Sequence, residues 1–155
     1  MRHMGVSATV NGHTAGEVYP LLCDMARYPK YSPVVLGLTV TPSGDESPDS
    51  SVSSSVSKWK VRFGEDEAGW TQRDDFDPAN HTIRFTRLSG DIENFTGSWV
   101  LSSLASGCTV QFAADFDIGV PGLDEIIEPM VETMLRENIT AILTGLFGDR
   151  VAIEA

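Results

Sequence analysis

The chain has 155 residues, of which 41% are apolar and 21% charged, proportions typical of one folded domain rather than of a disordered chain. Its 22 acidic and 11 basic residues give a net charge of −11, which disfavours binding to nucleic-acid phosphates and to anionic membrane surfaces. No apolar run approaches the roughly 20 residues that cross a bilayer, so membrane insertion is not expected.

The first residues, "MRHMG", lack the apolar segment of a signal peptide, which predicts a cytoplasmic protein. We interpret residues 1–4 as a vector remnant and exclude them from the predicted fold. One domain is then expected at 5–150, followed by a C-terminal tail at 151–155. Cys23 and Cys108 lie far apart and lack the spacing of a metal site, which is typical of two incidental thiols in an intracellular protein.

The N-terminal third predicts a strand, two short helices and a second strand. Alternating apolar residues predict the first strand over 5–12. Thr14 followed by Glu17 is a capping-box pattern that starts a helix, and two later prolines end a second short helix. Strand character returns over 34–42, before a polar turn, "SGDESPDSS", at 43–51.

Strand and turn signals then alternate regularly, which indicates an antiparallel meander. The last segment, 123–147, keeps apolar residues along one helical face, and Pro129 predicts either a kink or a later start. The order predicts an α+β fold: a curved antiparallel sheet of about seven strands wrapped around one long C-terminal helix. A curved sheet and a straight helix do not fill space together, so an internal cavity is expected. The five meander strands are predicted at 51–63, 67–76, 81–88, 94–104 and 108–118.

The segment "GWTQRDDFD" at 69–77 raises a question about burial. If Trp70 points inward, strand alternation places Gln72 and Asp74 inward with it and Arg73 outward. Burying an amide and a carboxylate without partners is costly, so this strand is either a solvated face or the polar lining of a pocket. Alternation on the other strands gives further inward candidates: Trp59, Val61, Phe63, Ile83, Phe85, Arg87, Phe95, Gly97, Trp99, Phe112, Ala114 and Phe116.

Several short motifs occur in a characteristic order. They are the Tyr28–Pro29 pair, the strand start at Trp70, "HTIRF…R" at 81–87 followed by Trp99, "FDI" at 116–118 and "REN" at 136–138. In their order and spacing, over about residues 5–148, the sequence resembles the helix-grip superfamily of START-like and Bet v 1-like domains. Within that superfamily it is similar to the bacterial polyketide aromatase/cyclases.

The resemblance implies a cavity that receives a carbonyl-rich chain from an acyl carrier protein and directs its ring closure and dehydration. Positioning against the walls, and a few polar groups that stabilise enol and enolate oxygens, would supply catalysis without a metal or other cofactor. The catalytic candidates are Asp74, Gln72, Arg87 and Arg73. The candidate substrate-binding residues are Tyr28, Tyr31, Trp59, Phe63, Trp70, Phe85, Phe95, Trp99, Phe112, Met134 and Asn138.

One position departs from the pattern of that family. The aromatase/cyclases carry an inward arginine four residues after the tryptophan that corresponds to Trp70, where this sequence has Asp74. A β-bulge would return Arg73 to the interior, because a one-residue slip exchanges the two faces of a strand. Without a bulge, burial would raise the pKa of Asp74 and suit it to general acid or base catalysis. Arg87 is the candidate cation beside Asp74, or else a surface partner of nearby acids.

Two classes of function fit this scaffold. The first is a polyketide cyclase, aromatase or dehydratase, and the second is a non-catalytic carrier of a hydrophobic molecule such as a quinone or a lipid. His13 and His81 fall at turns, which disfavours a catalytic triad or a zinc site. Acyl carrier proteins are usually acidic, so docking of one would need a local basic patch, for which Lys58, Lys60 and Arg62 are the candidates.

Overall fold

The computed structural model describes residues 1–42 and 53–154, so the polar turn predicted at 43–51 lies outside the described residues. The helices are α1 (Ala15–Cys23), α2 (Tyr28–Tyr31) and α3 (Asp124–Phe147). The strands are β1 (Arg2–Asn11), β2 (Val35–Pro42), β3 (Ser53–Phe63), β4 (Asp66–Asp77), β5 (Thr82–Gly90), β6 (Asn94–Leu104), β7 (Gly107–Asp117) and β8 (Val151–Glu154).

The strands form one antiparallel sheet in the order β2-β3-β4-β5-β6-β7-β1-β8. Strands β2 to β7 are sequential neighbours, as a meander requires, and β1 pairs with β7 beyond them. Helix α3 contacts β3 in one half of the sheet and β1, β7 and β8 in the other, so the sheet curves around the helix. The predicted α+β helix-grip fold is confirmed.

The two ends of the chain differ from the prediction. Strand β1 begins at Arg2 rather than at residue 5, Arg2 pairs with Phe116, and Met4 is buried in the core. The predicted tail contains β8, which pairs with β1 through contacts such as Val10 with Val151. Residues 2–4 and 151–154, which the predicted domain left out, are therefore part of the sheet. The described sheet has eight strands rather than about seven.

The helices follow from local sequence signals. Thr14 caps α1 through a complete capping box, in which its hydroxyl accepts from the Glu17 N–H and the Glu17 carboxylate accepts from the Thr14 N–H. Helix α3 starts at Asp124 and continues through Pro129, so the later start that Pro129 allowed is not observed. Its buried stripe, which packs against the inner face of the sheet, comprises Val131, Met134, Leu135, Asn138, Ile139, Ile142, Leu143 and Phe147.

Candidate functional site

Strand β4 carries the polar part of the site on its inner face. Trp70, Gln72 and Asp74 are buried, with 4%, 3% and 0% of their surfaces exposed. Arg73 lies on the outer face, where its guanidinium donates to the carboxylate of Asp75 and to the hydroxyl of Ser54. The alternation predicted from "GWTQRDDFD" is therefore confirmed.

The bulge that would have turned Arg73 inward is not in β4. The pairing of β4 with β3 runs without a shift, and it places Trp59 opposite Trp70 and Ser57 opposite Gln72. The irregularity lies on the other side, where β5 contains one extra residue, Leu88, between the partners of Thr71 and Gln72. The bulge thus leaves the faces of β4 unchanged.

Two chains of hydrogen bonds converge on the Asp74 carboxylate. In the first, the Trp59 indole N–H donates to the Ser57 hydroxyl (2.9 Å), and this hydroxyl donates to Oδ2 of Asp74 (2.5 Å). In the second, the Trp70 indole N–H donates to Oε1 of Gln72 (2.7 Å), and Nε2 of Gln72 donates to Oδ1 of Asp74 (2.6 Å). The two indoles are stacked, with ring centroids 5.6 Å apart and planes 6° from parallel. We call these five residues the Asp74 network.

Burial sets the electrostatics of the Asp74 network. Removal from water raises the pKa of Asp74 from 3.8 to about 6, the hydrogen bonds from Ser57 and Gln72 act in the opposite direction, and the nearby Asp75 charge raises it further. Tyr28 of α2 faces the same region, and burial holds the pKa of its phenol well above 10, so it stays neutral. Its hydroxyl donates to the carbonyl of Leu22. Asp74 is therefore the group in this interior that can change charge near neutral pH.

Beside the network lies an enclosed pocket between the sheet and α3. Most of its wall is aromatic, and the sequence predicts nine of its residues: Tyr28, Trp59, Trp70, Gln72, Phe85, Phe95, Trp99, Phe112 and Asn138. The rings pack closely, as in the T-shaped pair of Trp99 and Phe112 at 5.0 Å and the pair of Phe85 and Phe95 at 5.0 Å. An aromatic wall with few polar groups is typical of a site for a small, largely apolar molecule.

The pocket is much smaller than the cavity expected from the fold. Its volume of about 30 Å³ holds about one water molecule, whereas ligand pockets usually measure about 300–1,000 Å³. An aromatic substrate therefore enters only if the wall side chains or α3 move outward. Two larger grooves, of about 510 and 400 Å³, lie at the surface and share Phe63 and Met134 as lining residues.

Helix α3 contributes one polar side chain to the pocket wall. Asn138 is buried, and its Oδ1 accepts a hydrogen bond from the Ser32 hydroxyl at 2.7 Å. Its amide nitrogen has no hydrogen-bond partner within residues 1–42 and 53–154, which leaves two N–H donors for a molecule in the pocket. Gln72 on the sheet side and Asn138 on the helix side are the two polar residues of the wall.

Several predicted residues lie outside the pocket. Phe63 and Met134 line the surface grooves, and Tyr31 packs against Gly145 of α3. Arg87 does not join Asp74. Its Nη2 donates to the carbonyl of Gly90 at 3.0 Å, and it forms no ion pair with any acid in the described part of the chain. Arg87 lies opposite the inward Gln72, on the face that alternation predicts, but the expected contact with Asp74 or with a surface acid is not among the ion pairs of the described residues.

Sequence reasoning missed five residues of the site. Met25, Leu135 and Ile139 complete the pocket wall. Helical spacing in 123–147 signals the last two, and Met25 continues the helical spacing of Val18 and Leu22, although it lies in a short 3-10 turn after α1. The Ser32 hydroxyl donates to Asn138 of α3, and the Ser57 hydroxyl donates to Asp74 of the network. Serine in a strand as rich in serine as "SVSSSVS" signals solvent exposure, so nothing in the sequence distinguishes Ser57.

An acidic cluster lies outside the pocket. Within the described residues, one group of acidic side chains has ligand atoms close enough for a metal ion, all within 4.8 Å: Asp117, Asp124 and Glu128. None of the three belongs to the pocket wall. None of the helices in the described ranges has the length and apolar character needed to span a bilayer.

Comparison with known proteins gives a family and a fold. The family described as "Polyketide cyclase / dehydrase and lipid transport" matches residues 12–143. A comparison with curated proteins gives no match. Among solved structures, the Zhui aromatase/cyclase from Streptomyces sp. R1128 is 22% identical with a TM-score of 0.78, over 96% of this chain and 93% of that one.

Two other solved structures have the same fold. The protein TTHA0849 from Thermus thermophilus is 20% identical with a TM-score of 0.77, over 94% of each chain. A START superfamily protein from Mycobacterium smegmatis is 17% identical with a TM-score of 0.67, over 96% of each chain. At these identities the likeness extends to the fold alone.

Proposed function

This chain belongs to the polyketide cyclase / dehydrase and lipid transport family, and we propose that its pocket binds a carbonyl-rich polyketide chain and directs ring closure and dehydration. The observation that supports this most strongly is a pair of amide side chains, Gln72 and Asn138, on the two sides of an otherwise apolar and aromatic pocket. Amide N–H groups suit ketone and enolate oxygens, whereas a pocket for a pure hydrocarbon has no use for them.

In the proposed reaction the aromatic walls fold the chain, and the amides bind its oxygens. Ring closure joins an enolate carbon to a ketone carbon, so negative charge develops on oxygen and is stabilised by donors fixed in advance. Holding the two carbons in contact supplies much of the rate, because it turns a search through many conformations into one. Gln72 and Asn138 would touch the substrate. Asp74 lies behind Gln72 and acts through it, as a positioning residue.

The source of the substrate would be an acyl carrier protein in the cytoplasm. Lys58, Lys60 and Arg62 are exposed on the outer face of β3, the strand that carries Trp59 on its inner face. Lys60 pairs with Glu67 at 2.9 Å, which leaves Lys58 and Arg62 as the main basic contacts for an acidic carrier. We propose this patch as the docking surface.

A second candidate function is the non-catalytic binding of a hydrophobic molecule, such as a quinone or a lipid. Two observations favour it: the pocket wall is almost entirely apolar, and no lysine or arginine lines it within the described residues. A quinone carries two carbonyl oxygens, so it would use the same two amides. The two functions therefore differ in turnover and not in the polar groups used for binding.

The test replaces Asp74 with asparagine and measures turnover and binding separately. Asp74→Asn keeps the size of the side chain but replaces one carboxylate oxygen with an NH₂ group, at a position where Ser57 or Gln72 now donates a hydrogen bond. We expect turnover of a carrier-bound poly-β-ketone to fall about tenfold or more, the scale of catalytic polar groups. Binding of a hydroxylated anthraquinone, followed by tryptophan quenching, should change less than threefold or so.

Arg73→Ala is the matched control, because Arg73 is next in sequence but lies on the outer face. It should leave both turnover and binding close to those of the parent protein. Tight anthraquinone binding with no turnover of any carrier-bound chain would favour the carrier function. A large loss of turnover in Arg73→Ala with none in Asp74→Asn would contradict the assignment of the inner face.

A further inference from the structure

The two indole groups orient the hydrogen bonds of the Asp74 network. An indole nitrogen can only donate, so the Ser57 hydroxyl accepts from Trp59 and has its single proton left for Asp74. In the same way, Oε1 of Gln72 accepts from Trp70, which turns the NH₂ group of Gln72 toward Asp74. Both carboxylate oxygens therefore receive donors. A proton on Oδ1 would face the NH₂ group of Gln72, which cannot accept, whereas the Ser57 hydroxyl donates to Oδ2 only while that oxygen carries no proton directed at it. With both donors in place, the network fits the carboxylate anion.

The anion is held without a counter-charge. No lysine or arginine forms an ion pair with Asp74 in the ranges that the structure describes. Buried charges usually need such a partner, or enough hydrogen bonds to replace it. Here two hydrogen-bond donors take the place of a cation: the Ser57 hydroxyl and the Gln72 amide. Loss of either donor leaves one carboxylate oxygen unsatisfied in a dry interior.

The two donors have different positions relative to the pocket. Gln72 lines the pocket, whereas Ser57 is fully buried behind it and touches none of the space a ligand would occupy. Ser57 lies directly across from Gln72 in the pairing of β3 with β4. It therefore influences a ligand indirectly, through Asp74 and then Gln72 on one side and through the Trp59 indole on the other.

We propose that Ser57 is a positioning residue: oriented by the Trp59 indole, it holds Asp74 as an anion, and that anion fixes the Gln72 amide with one N–H on Asp74 and the other available to the pocket. This inference rests on the proposed function for the role of Gln72 toward substrate. The part that concerns Ser57 and the charge of Asp74 stands on the hydrogen-bond directions alone.

The groups around Asp74 allow its charge to be followed without substrate. Across the sheet, β3 presents Ser55 and Ser57, and β5 presents Phe85 opposite Asp74 and the charged Arg87 opposite Gln72. From the helices, Tyr28 faces Asp74 and stays neutral, and on β4 the neighbouring acid is Asp75 on the outer face. Since both indoles end in the network, protonation of Asp74 should change tryptophan fluorescence.

The first experiment titrates the fluorescence of the ligand-free protein from pH 4 to pH 8. The parent protein should show a transition near pH 6, the pKa to which burial raises Asp74, and Asp74→Asn should lack it. Ser57→Ala removes a donor to the anion, so its midpoint should move upward by about one pH unit, the effect of one charge-assisted hydrogen bond. Ser57→Thr keeps the hydroxyl and should restore the midpoint of the parent protein.

Ser54→Ala is a close control, because the Ser54 hydroxyl donates to Asp75 at 2.5 Å across the same two strands on their outer face. It should leave the midpoint in place. A midpoint that is the same in Ser57→Ala as in the parent would overturn the proposal. So would an equal shift in Ser57→Thr, since the cause would then be packing rather than the hydroxyl.

The second experiment measures turnover. Ser57→Ala should lower kcat about tenfold with KM nearly unchanged, and should move the acid limb of the pH profile upward with the fluorescence midpoint. Ser57→Thr should recover most of the rate. A fluorescence shift in a protein that turns over no poly-β-ketone would refute the proposed reaction while supporting the role of Ser57. A lowered kcat with an unmoved acid limb would overturn that role.

Discussion

The cost of burying Asp74 predicts how stability depends on pH. In the unfolded chain the carboxyl has its ordinary pKa of 3.8, and in the folded protein burial raises the pKa to about 6. Between these values the folded state holds the proton more tightly than the unfolded state does. The contribution of Asp74 to stability is therefore greatest at low pH and is lost as pH rises through about 4 to 6.

The size of this effect follows from the displacement of the pKa. Each tenfold change in proton affinity is about 1.4 kcal/mol, so a pKa moved from 3.8 to about 6 corresponds to about 3 kcal/mol in full. Between pH 4 and pH 7.5, most of that range is covered, about 2–3 kcal/mol. Asp74→Asn removes the titration and leaves the rest of the chain unchanged. The difference in unfolding free energy between variant and parent should therefore rise by that amount from pH 4 to pH 7.5.

The assay is urea unfolding followed by far-ultraviolet circular dichroism, at several pH values. At pH 4 the two proteins should be close in stability, because the protonated carboxyl of the parent and the amide of the variant each present one acceptor and a donor to Ser57 and Gln72. At pH 7.5 the variant should be the more stable protein. Asp75→Asn, which removes a carboxylate from the outer face of the same strand, reports what a general loss of negative charge does. Parallel curves for parent and Asp74→Asn would refute the idea that a buried carboxylate is charged at neutral pH.

Two further predictions concern the sheet and its outer face. Gly97→Ala should lower the free energy of unfolding in urea by about 1–3 kcal/mol, because a Cβ there would lie 2.1 Å from the Ala113 carbonyl oxygen and 2.5 Å from the Phe85 ring. The control is Gly16→Ala in α1, where the nearest atom to a Cβ is 3.8 Å away, and it should stabilise the protein slightly. The double variant Lys58→Glu with Arg62→Glu should slow turnover of carrier-bound substrate several-fold and leave anthraquinone binding unchanged. The control Arg84→Glu, at an exposed position on β5, should change neither turnover nor binding. Equal losses of turnover and binding in the double variant would argue against carrier docking.

The inner face of β4 could be predicted because its pattern has two apolar anchors. Trp70 and Phe76 require the same side of the strand, and only one register satisfies both. The pairing with β3 then keeps that register over the whole strand. Two apolar anchors on one strand show which of its faces points inward, so the sequence predicts that Gln72 and Asp74 point inward.

The contacts of Arg87 could not be predicted in the same way. The bulge at Leu88 depends on how β5 meets β4, and no residue in "HTIRFTRLSG" marks it. The bulge follows Arg87 directly, and the Arg87 side chain ends at the carbonyl of Gly90 instead of at Asp74. The face of Arg87, opposite Gln72, follows from strand alternation. The contact of its guanidinium depends on the path of the chain after the bulge, which the pattern of one strand does not contain.

The polar network and the pocket volume were also beyond the sequence, for two different reasons. A serine hydroxyl is compatible with either face of a strand, so the sequence does not predict the contacts of Ser57. Those contacts depend on Gln72, across from it, and on Trp59, two residues along β3. The volume depends on how rings interlock. A parallel stack of Trp59 on Trp70 and a T-shaped contact of Trp99 with Phe112 fill space that the strand pattern left open.

The cost of Asp74 bears on the choice between the two functions. A carrier of a pure hydrocarbon gains nothing from a buried carboxylate, since an apolar residue of the same size would remove a penalty of about 3 kcal/mol at neutral pH. The network instead uses four side chains to keep that carboxylate charged and to turn one amide toward the pocket. Costly polar groups with displaced pKa values concentrate at sites of chemistry. The Asp74 network therefore argues against a carrier of a pure hydrocarbon, and turnover by Asp74→Asn, rather than binding, is the quantity that separates the proposed enzyme from a quinone carrier.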